Sequence, residues 1–379
     1  ADGAQTNTYT LTPLPTDFPE LDVWNAGEPG TGWYFLCNMD FNPLPPGEGS
    51  YLMIVDSLGI PRWIKRKEVL TFDFRAARGD RTSWADDNDD DSAGYVREAD
   101  GEITEWRGER QVDPHEFRLL DNGNALMVAR EAVPEDMTYL GGPALQLMLH
   151  QAAQEISPSG DTVFEWTTVG SLADYDEVAP ELWQFPVVEL THMNSVDIDP
   201  EDGNWLVSMR IPSHVRKIDR ATGAILWTFG GLGSDFTFVD DERQWGWHGF
   251  TGQHTARMTG PGRIMVFDNA LLTDGTMSGD SRMVEYQLDL DLMTATVTNE
   301  WELVGSGATA VAGSAQALPN GHTVIGFGNN DADVGGERTP AIVELDENNE
   351  PIFELRLPKQ HWSYRVYRFE RDENGWVVP

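Results

Sequence analysis

The stretch YLMIVDSLGIPRWI (51–64) is two short apolar runs joined by a Gly-containing turn, and five later stretches share its form. They are YVREADGEITEW (95–106), AAQEISPSGDTVFEW (152–166), HVRKIDRATGAILW (214–227), MVEYQLDLDLMTATV (283–297) and AIVELDENNEPIFEL (341–355). Each reads as a β-hairpin, with β-branched and aromatic residues on both sides of a Gly, Asn or Asp turn. The turns fall near Gly59, Gly101, Gly160, Gly223, Asp291 and Asn349, at successive spacings of 42, 59, 63, 68 and 58 residues. Inner hairpins turn at Gly123, Gly203, Gly262 and Gly321, each followed by an apolar strand such as ALMVAR (125–130) or WLVSMR (205–210).

Two hairpins per period make four strands, and helical periodicity is nearly absent. Four-stranded units at such a period bury their faces against one another around a channel. The expected fold is therefore all-β: a six-bladed β-propeller with four-stranded blades around a central channel. A double sandwich would not require a regular period. As one domain, 1–379 divides into an N-terminal extension or closing strand (1–20), six blades (near 21–66, 67–110, 111–170, 185–232, 250–303 and 310–358) and a closing segment (359–379).

Composition agrees with a folded, turn-rich chain: 40% hydrophobic residues, 14 Trp, 37 Gly and 22 Pro in 379 residues. The formal net charge of −37 repels nucleic acid and anionic membrane surfaces, so neither is an expected partner. No apolar run is long enough to span a bilayer. The one cysteine, Cys37, allows no internal disulfide and reads as a buried small side chain. Oligomeric state is not legible.

Aligning the inner turns places His115 and His254 each 8 residues before a turn glycine, and His192 11 before Gly203. The first strand of each propeller blade lines the channel, so residues at its beginning converge on one axial region. The second strand runs back antiparallel and returns Arg210, 7 residues after Gly203, to the same end. Arg130 holds the equivalent place after Gly123. An arginine fork among imidazoles suits a tetrahedral oxyanion. His150, His214, His248, His322 and His361 lack the register and read as surface or packing residues. Trp183, Phe185, Trp245 and Trp247 lie near these histidines in sequence, as pocket walls or as packing between blades.

The motifs PHEF (114–117), HMNSVDIDP (192–200), VSMR (207–210) with KIDRATGAILWTFGG (217–231), GQHTARM (252–258) with GRIMVFDN (262–269), and a late SYRVYRF (363–369) go further. In order and spacing, over about residues 110–370, they resemble the propeller arylsulfotransferases. These bacterial enzymes move a sulfuryl group between phenols without a nucleotide sulfate donor. The resemblance implies a ping-pong reaction in which His254 accepts the sulfuryl group, supported by His115, His192, Asn194 and Arg210. It also implies no cofactor and no metal, small-molecule partners (an aryl sulfate donor and a phenolic acceptor), no membrane insertion, and a periplasmic or secreted location.

The chain departs from longer members, which carry a β-sandwich ahead of the propeller and a cysteine pair. Blade six places Gly313 in the histidine register, leaving Ser314 as the candidate for a late polar contribution. Removing His254 is expected to abolish transfer and leave stability nearly unchanged, as a channel side chain contributes little to blade packing.

Other readings of the same residues are a three-histidine zinc site, a propeller lyase that neutralises a uronate with His and Arg, and a non-catalytic binding or scaffold propeller. Arg210 beside the histidines disfavours a cation. The run DDNDDDS (86–92) lacks the glycine and distal glutamate of an EF-hand loop and reads as a solvated acidic loop.

Overall fold

The structure, a computed structural model, describes all residues except 1–12, 27–30, 171–177, 232, 242, 244–248, 273–274, 278, 308, 330–332, 335–336 and 379. The chain is nearly all β and forms the six-bladed propeller expected from its repeats. Blade two is the simplest: strands Leu70–Ala77, Arg81–Asp87, Ala93–Arg97 and Ile103–Trp106, paired antiparallel in chain order from channel to rim. Blade four repeats it with Met193–Ile198, Trp205–Met209, His214–Ile218 and Ile225–Phe229.

Blades three and five each add a parallel edge segment to that pattern. In blade three, Gln111–Leu119, Ala125–Glu135, Gln146–Ile156 and Thr162–Thr167 are joined by Val187–Glu189, which pairs with Gln146–Ile156. In blade five, Thr237–Val239 pairs with the rim strand of the set His254–Gly260, Arg263–Asp268, Arg282–Asp289 and Thr294–Glu302.

The ring closes by exchange of chain ends. The late strand Tyr367–Asp372 supplies the channel strand of blade one, beside Trp33–Asn38, Ser50–Asp56 and Pro61–Lys67. The early strand Asp22–Asn25 adds to the rim of blade six, outside Ser314–Ala317, Thr323–Gly326, Ile342–Leu345 and Pro351–Arg356. Residues 22–25, placed with blade one by the sequence reading, thus belong to the sheet of blade six. The alternating pattern that marks a strand cannot say which sheet an edge segment joins.

Each interface between successive blades holds its own apolar cluster. Phe35, Phe74 and Trp84 fill the first to second, Met127 and Phe117 the second to third, Trp205 and Val128 the third to fourth. Phe250 and Tyr286 lie between the fourth and fifth, Phe267 and Phe327 between the fifth and sixth, Tyr34 and Phe353 between the sixth and first. Middle strands such as HVRKI are buried on both faces, as a sheet packed between two others requires.

What matters most for function is that the channel strands are irregular. Pairing shifts register between Phe72 and Arg75, between His254 and Arg257, between Met193 and Ser195, and opposite the PHEF run. A bulge of this kind kinks the strand and re-aims a side chain. In blade two Asp73 and Arg75 face the channel charges while Phe72 and Phe74 pack between blades.

Candidate active site

The bulges gather His115, His192 and His254 at one mouth of the channel. The rings of His115 and His192 meet edge to face, with centroids 4.6 Å apart. Tyr364 packs its ring 5.5 Å from His115 and 6.1 Å from His254.

Each imidazole is held at Nδ1 by a different group. His254 donates to Asn269 Oδ1 at 2.7 Å. That amide cannot turn round, because its Nδ2 donates to the Thr309 and Ala312 carbonyls at 2.7 and 2.8 Å. His254 is therefore held as the Nδ1–H tautomer, with its lone pair on Nε2, where the Ala312 N–H donates at 3.2 Å. Burial, and then the nearby Arg210 charge, hold its pKa well below the ordinary histidine value, so the ring is neutral at neutral pH.

His115 and His192 instead face carboxylates: Asp113 bonds the Nδ1 of His115, and Glu189 lies 3.0 Å from the Nδ1 of His192. Glu189 is itself held by Gln151, which takes the Thr191 hydroxyl. Burial pushes the Asp113 carboxyl up, but His115, together with Arg130 and His192 behind it, outweighs burial and brings the pKa down to about 2 from 3.8. A carboxyl depressed in the folded state stabilises the fold above its unfolded pKa and loses that contribution as pH falls through the folded value. The expected result is a loss of about 2 kcal/mol between about pH 4 and pH 2. Thermal midpoints measured across that range should fall less steeply in Asp113→Asn.

Arg210 is half-buried. Its Nη2 donates to the Ala310 carbonyl at 3.0 Å, and its buried Nε has no hydrogen-bond partner among the described residues. Asn194 explains why the HMN and GQH motifs occur together: its Nδ2 donates to the Gln253 carbonyl at 2.6 Å, immediately before His254. Gln253 in turn donates to Ser208 and to the Met209 and His214 carbonyls. The Asn194 Oδ1 is buried and unpartnered among the described residues, an acceptor left for something else.

Backbone strain concentrates here as well. His192, Thr255 and Ala312 have φ of 54°, 54° and 66°, a region that costs a residue with a Cβ about 1–2 kcal/mol. Thr255, β-branched, is the least suited of the three.

Below the imidazoles the channel holds buried charges. Glu116 takes Arg257 Nη2 at 2.9 and 2.7 Å, Arg365 Nη1 at 2.8 Å and Arg75 Nη1 at 3.3 Å. Asp73 takes Arg365 at 2.8 Å and the Tyr367 hydroxyl at 2.6 Å. The Glu116 carboxyl resists its burial because Arg257, Arg365 and Arg75 hold it far below the usual carboxylate range.

All five residues singled out from the sequence, His115, His192, Asn194, Arg210 and His254, lie at this mouth. Arg130 does not join them: it reaches the Asp89 carbonyl and Asp87. Ser314 exchanges hydrogen bonds with the Val366 backbone instead of facing the histidines. Gly313 cannot be a histidine, because a Cβ there would lie 2.3 Å from the Phe267 ring. Trp183 packs on the small cluster over blade three, and Phe185 is exposed. His248, Trp245 and Trp247 lie outside the described residues.

Among the described residues, no three His, Cys, Asp or Glu side chains come together as a metal site. In the 86–92 loop, Asp91 pairs with Arg107 at 2.9 Å. Asn269, Tyr364, Asp113 and Glu189 were missed from the sequence. A signal for the first existed, since Asn269 follows Gly262 by the same 7 residues that separate Arg210 from Gly203.

The channel mouth of this propeller thus carries a neutral, buried imidazole beside an arginine. The sequence profile of the arylsulfotransferase (ASST) family matches residues 88–357, and the chain belongs to that family. No curated protein sequence matches it. Among solved structures, a Bacteroides caccae protein of unknown function shares the fold at 14% identity, with a TM-score of 0.54 over 90% of this chain and 99% of that one. A periplasmic gluconolactonase from Pseudomonas aeruginosa is more distant, at 9% identity and a TM-score of 0.47 over 92% and 100% of the two chains. So is a Staphylococcus aureus virginiamycin B lyase with quinupristin, at 10% identity and 0.43 over 89% and 99%.

Proposed function

We propose that the chain moves a sulfuryl group from an aryl sulfate ester to a phenolic acceptor in two half-reactions through His254. The observation that carries this reading is the fixed tautomer of His254: Asn269 Oδ1 accepts the Nδ1–H hydrogen bond, which leaves the Nε2 lone pair to attack. In the first half-reaction Nε2 bonds to sulfur, the aryl oxygen–sulfur bond breaks, and the phenolate takes a proton from His115 or His192. In the second, the acceptor phenol gives its proton to that base, its oxygen bonds to sulfur, and the Nε2–sulfur bond breaks. Splitting one transfer into two is the use of a covalent nucleophile.

The Ala312 N–H must release Nε2 for attack, and once free it becomes a donor to a sulfuryl oxygen. Arg210 neutralises charge on the transferring group, whose transition state spreads it over several oxygens, as in phosphoryl transfer. By the same reading the protein works in the periplasm or outside the cell.

The test is a chromogenic aryl sulfate assay with and without added phenol, then intact-mass analysis of protein given donor alone. Phenol-dependent release with a sulfuryl adduct on His254 supports the reading; no release and no adduct across several donors sinks it. Arg210→Lys is expected to lower turnover by about 10²-fold, since an ammonium cannot reproduce the planar fork. Unaltered steady-state kinetics would remove Arg210 from the site.

A further inference from the structure

Between blades one and two, away from the channel mouth, lies an open cavity of about 260 Å³ lined by Trp33, Ile54, Arg62, Trp63, Asp80, Thr82, Arg97, Ala99, Arg371 and Trp376. It shares no lining residue with the site described above. Its walls carry three guanidiniums against Asp80, with Asp56 bound to Arg62 beside it, a local surplus of positive charge in a chain of net charge −37.

The hairpin that follows the closing strand forms one side. Arg371 and Trp376 are cross-strand neighbours there, and Arg371 grips Asp80 through Nε at 2.9 Å and through Nη2. Arg62 is engaged with Asp56 at 2.7 Å. These two arginines have their carboxylates. Arg97 is held less firmly: Asp80, already bound by Arg371, is within reach of its charge, but its side chain makes no hydrogen bond or ion pair among the described residues, and its guanidinium lies 5.7 Å from the Trp63 ring centroid. Stacking on an indole holds such a group while leaving its in-plane donors free.

A second group is open in the same place. Thr82 pairs directly across the strands with Arg97, which puts both side chains on one face of the sheet. Thr82 is 1% exposed, and its hydroxyl has no hydrogen-bond partner among the described residues. A buried, unmatched hydroxyl costs about 1–3 kcal/mol, a cost that a ligand or solvent in the cavity would relieve.

We infer that this cavity is a second binding site, for a small organic oxyanion whose sulfonate, sulfate or carboxylate group sits on Arg97 and Thr82. The oxyanion lies across the Arg97 fork, accepts from the Thr82 hydroxyl and gains from the rim charges of Arg62 and Arg371. An inorganic ion would leave most of the volume empty, so a ring fills it against Trp33, Ile54 and Trp376. An aromatic ring and a pyranose both meet that description.

The experiment is calorimetric titration of the full chain with benzenesulfonate, glucuronate and inorganic sulfate. Benzenesulfonate lacks an ester oxygen, so it cannot act as a donor and its binding is read without turnover. The expected result is saturable binding of benzenesulfonate or of glucuronate, and the one that binds identifies the ring. Arg97→Ala should weaken it by about tenfold or more, and Thr82→Val, which keeps the side-chain shape, should weaken it too. Both variants should retain aryl sulfate transfer.

Because benzenesulfonate also resembles an aryl sulfate donor, the titration is repeated in Arg210→Lys, where the binding that Arg97→Ala weakens should persist, so that failure of the transferase reading and failure of this one are separable. The inference is overturned if neither organic anion binds. It is overturned equally if inorganic sulfate binds as tightly, or if binding is lost in Arg210→Lys and kept in both Arg97→Ala and Thr82→Val.

Discussion

Replacing His254 by alanine is expected to lower aryl sulfate transfer by on the order of 10⁴-fold or more, the scale seen when a covalent nucleophile is removed. The sulfuryl adduct should vanish with it. The structure also corrects the expectation that stability would hardly change. His254 is buried, and its removal leaves the Asn269 Oδ1 and the Ala312 N–H without their partner. The Asn269 amide cannot turn away to compensate, since its Nδ2 is committed to two carbonyls. A loss of about 1–3 kcal/mol is therefore expected, read as a lower urea midpoint with an unchanged slope. A folded variant that still forms an adduct elsewhere and turns over normally would refute the assignment.

The second large effect is on stability. Glu116→Ala should cost about 3–5 kcal/mol, because it leaves Arg257 buried without its carboxylate and Arg365 and Arg75 with only Asp73 between them. The pairing itself need not be strongly favourable; the penalty comes from stranding charges away from water. Removing Arg257 in the Glu116→Ala background should then recover part of the loss, so a double-mutant cycle distinguishes stranded charge from lost packing. Denaturant unfolding of the single variant at the parent's midpoint would show the cluster to be inert. Acid should act in the same direction. The folded-state pKa of Glu116 is depressed, so its contribution is present at neutral pH and is lost as pH falls below the unfolded carboxylate range.

Much of this architecture was legible because a propeller writes its period into the turns. Gly123, Gly203 and Gly262 gave a ruler, and His115, His254 and Arg210 were found by counting from it. The same ruler misplaced Arg130. The blade three hairpin continues to Glu135, beyond the point where blade four turns, and Arg130 reaches toward the acidic loop of blade two. Asp113 and Glu189 were not legible as histidine partners. Asp113 lies two residues before its histidine and reaches it only through a bulge, which hydrophobic periodicity does not encode.

Glu189 belongs to a segment that pairs with blade three while serving a histidine at the start of blade four. Tyr364 was present in SYRVYRF. Its place beside His115 and His254 follows from the last strand completing the first blade, a relation between residues more than three hundred positions apart.

That closure also governs when the protein can exist. During synthesis the three outer strands of the first blade, ending at Lys67, emerge long before their innermost partner at Tyr367–Asp372. Blades two to five can assemble from neighbouring residues, but the pore acquires its complete wall only once Tyr367–Asp372 has left the ribosome. Tyr364, which packs against two of the three imidazoles, arrives in that same last stretch. Until then there is a curved stack of sheets with open edges, and a chain cut before Tyr364 would have His254 in place but no finished pocket around it.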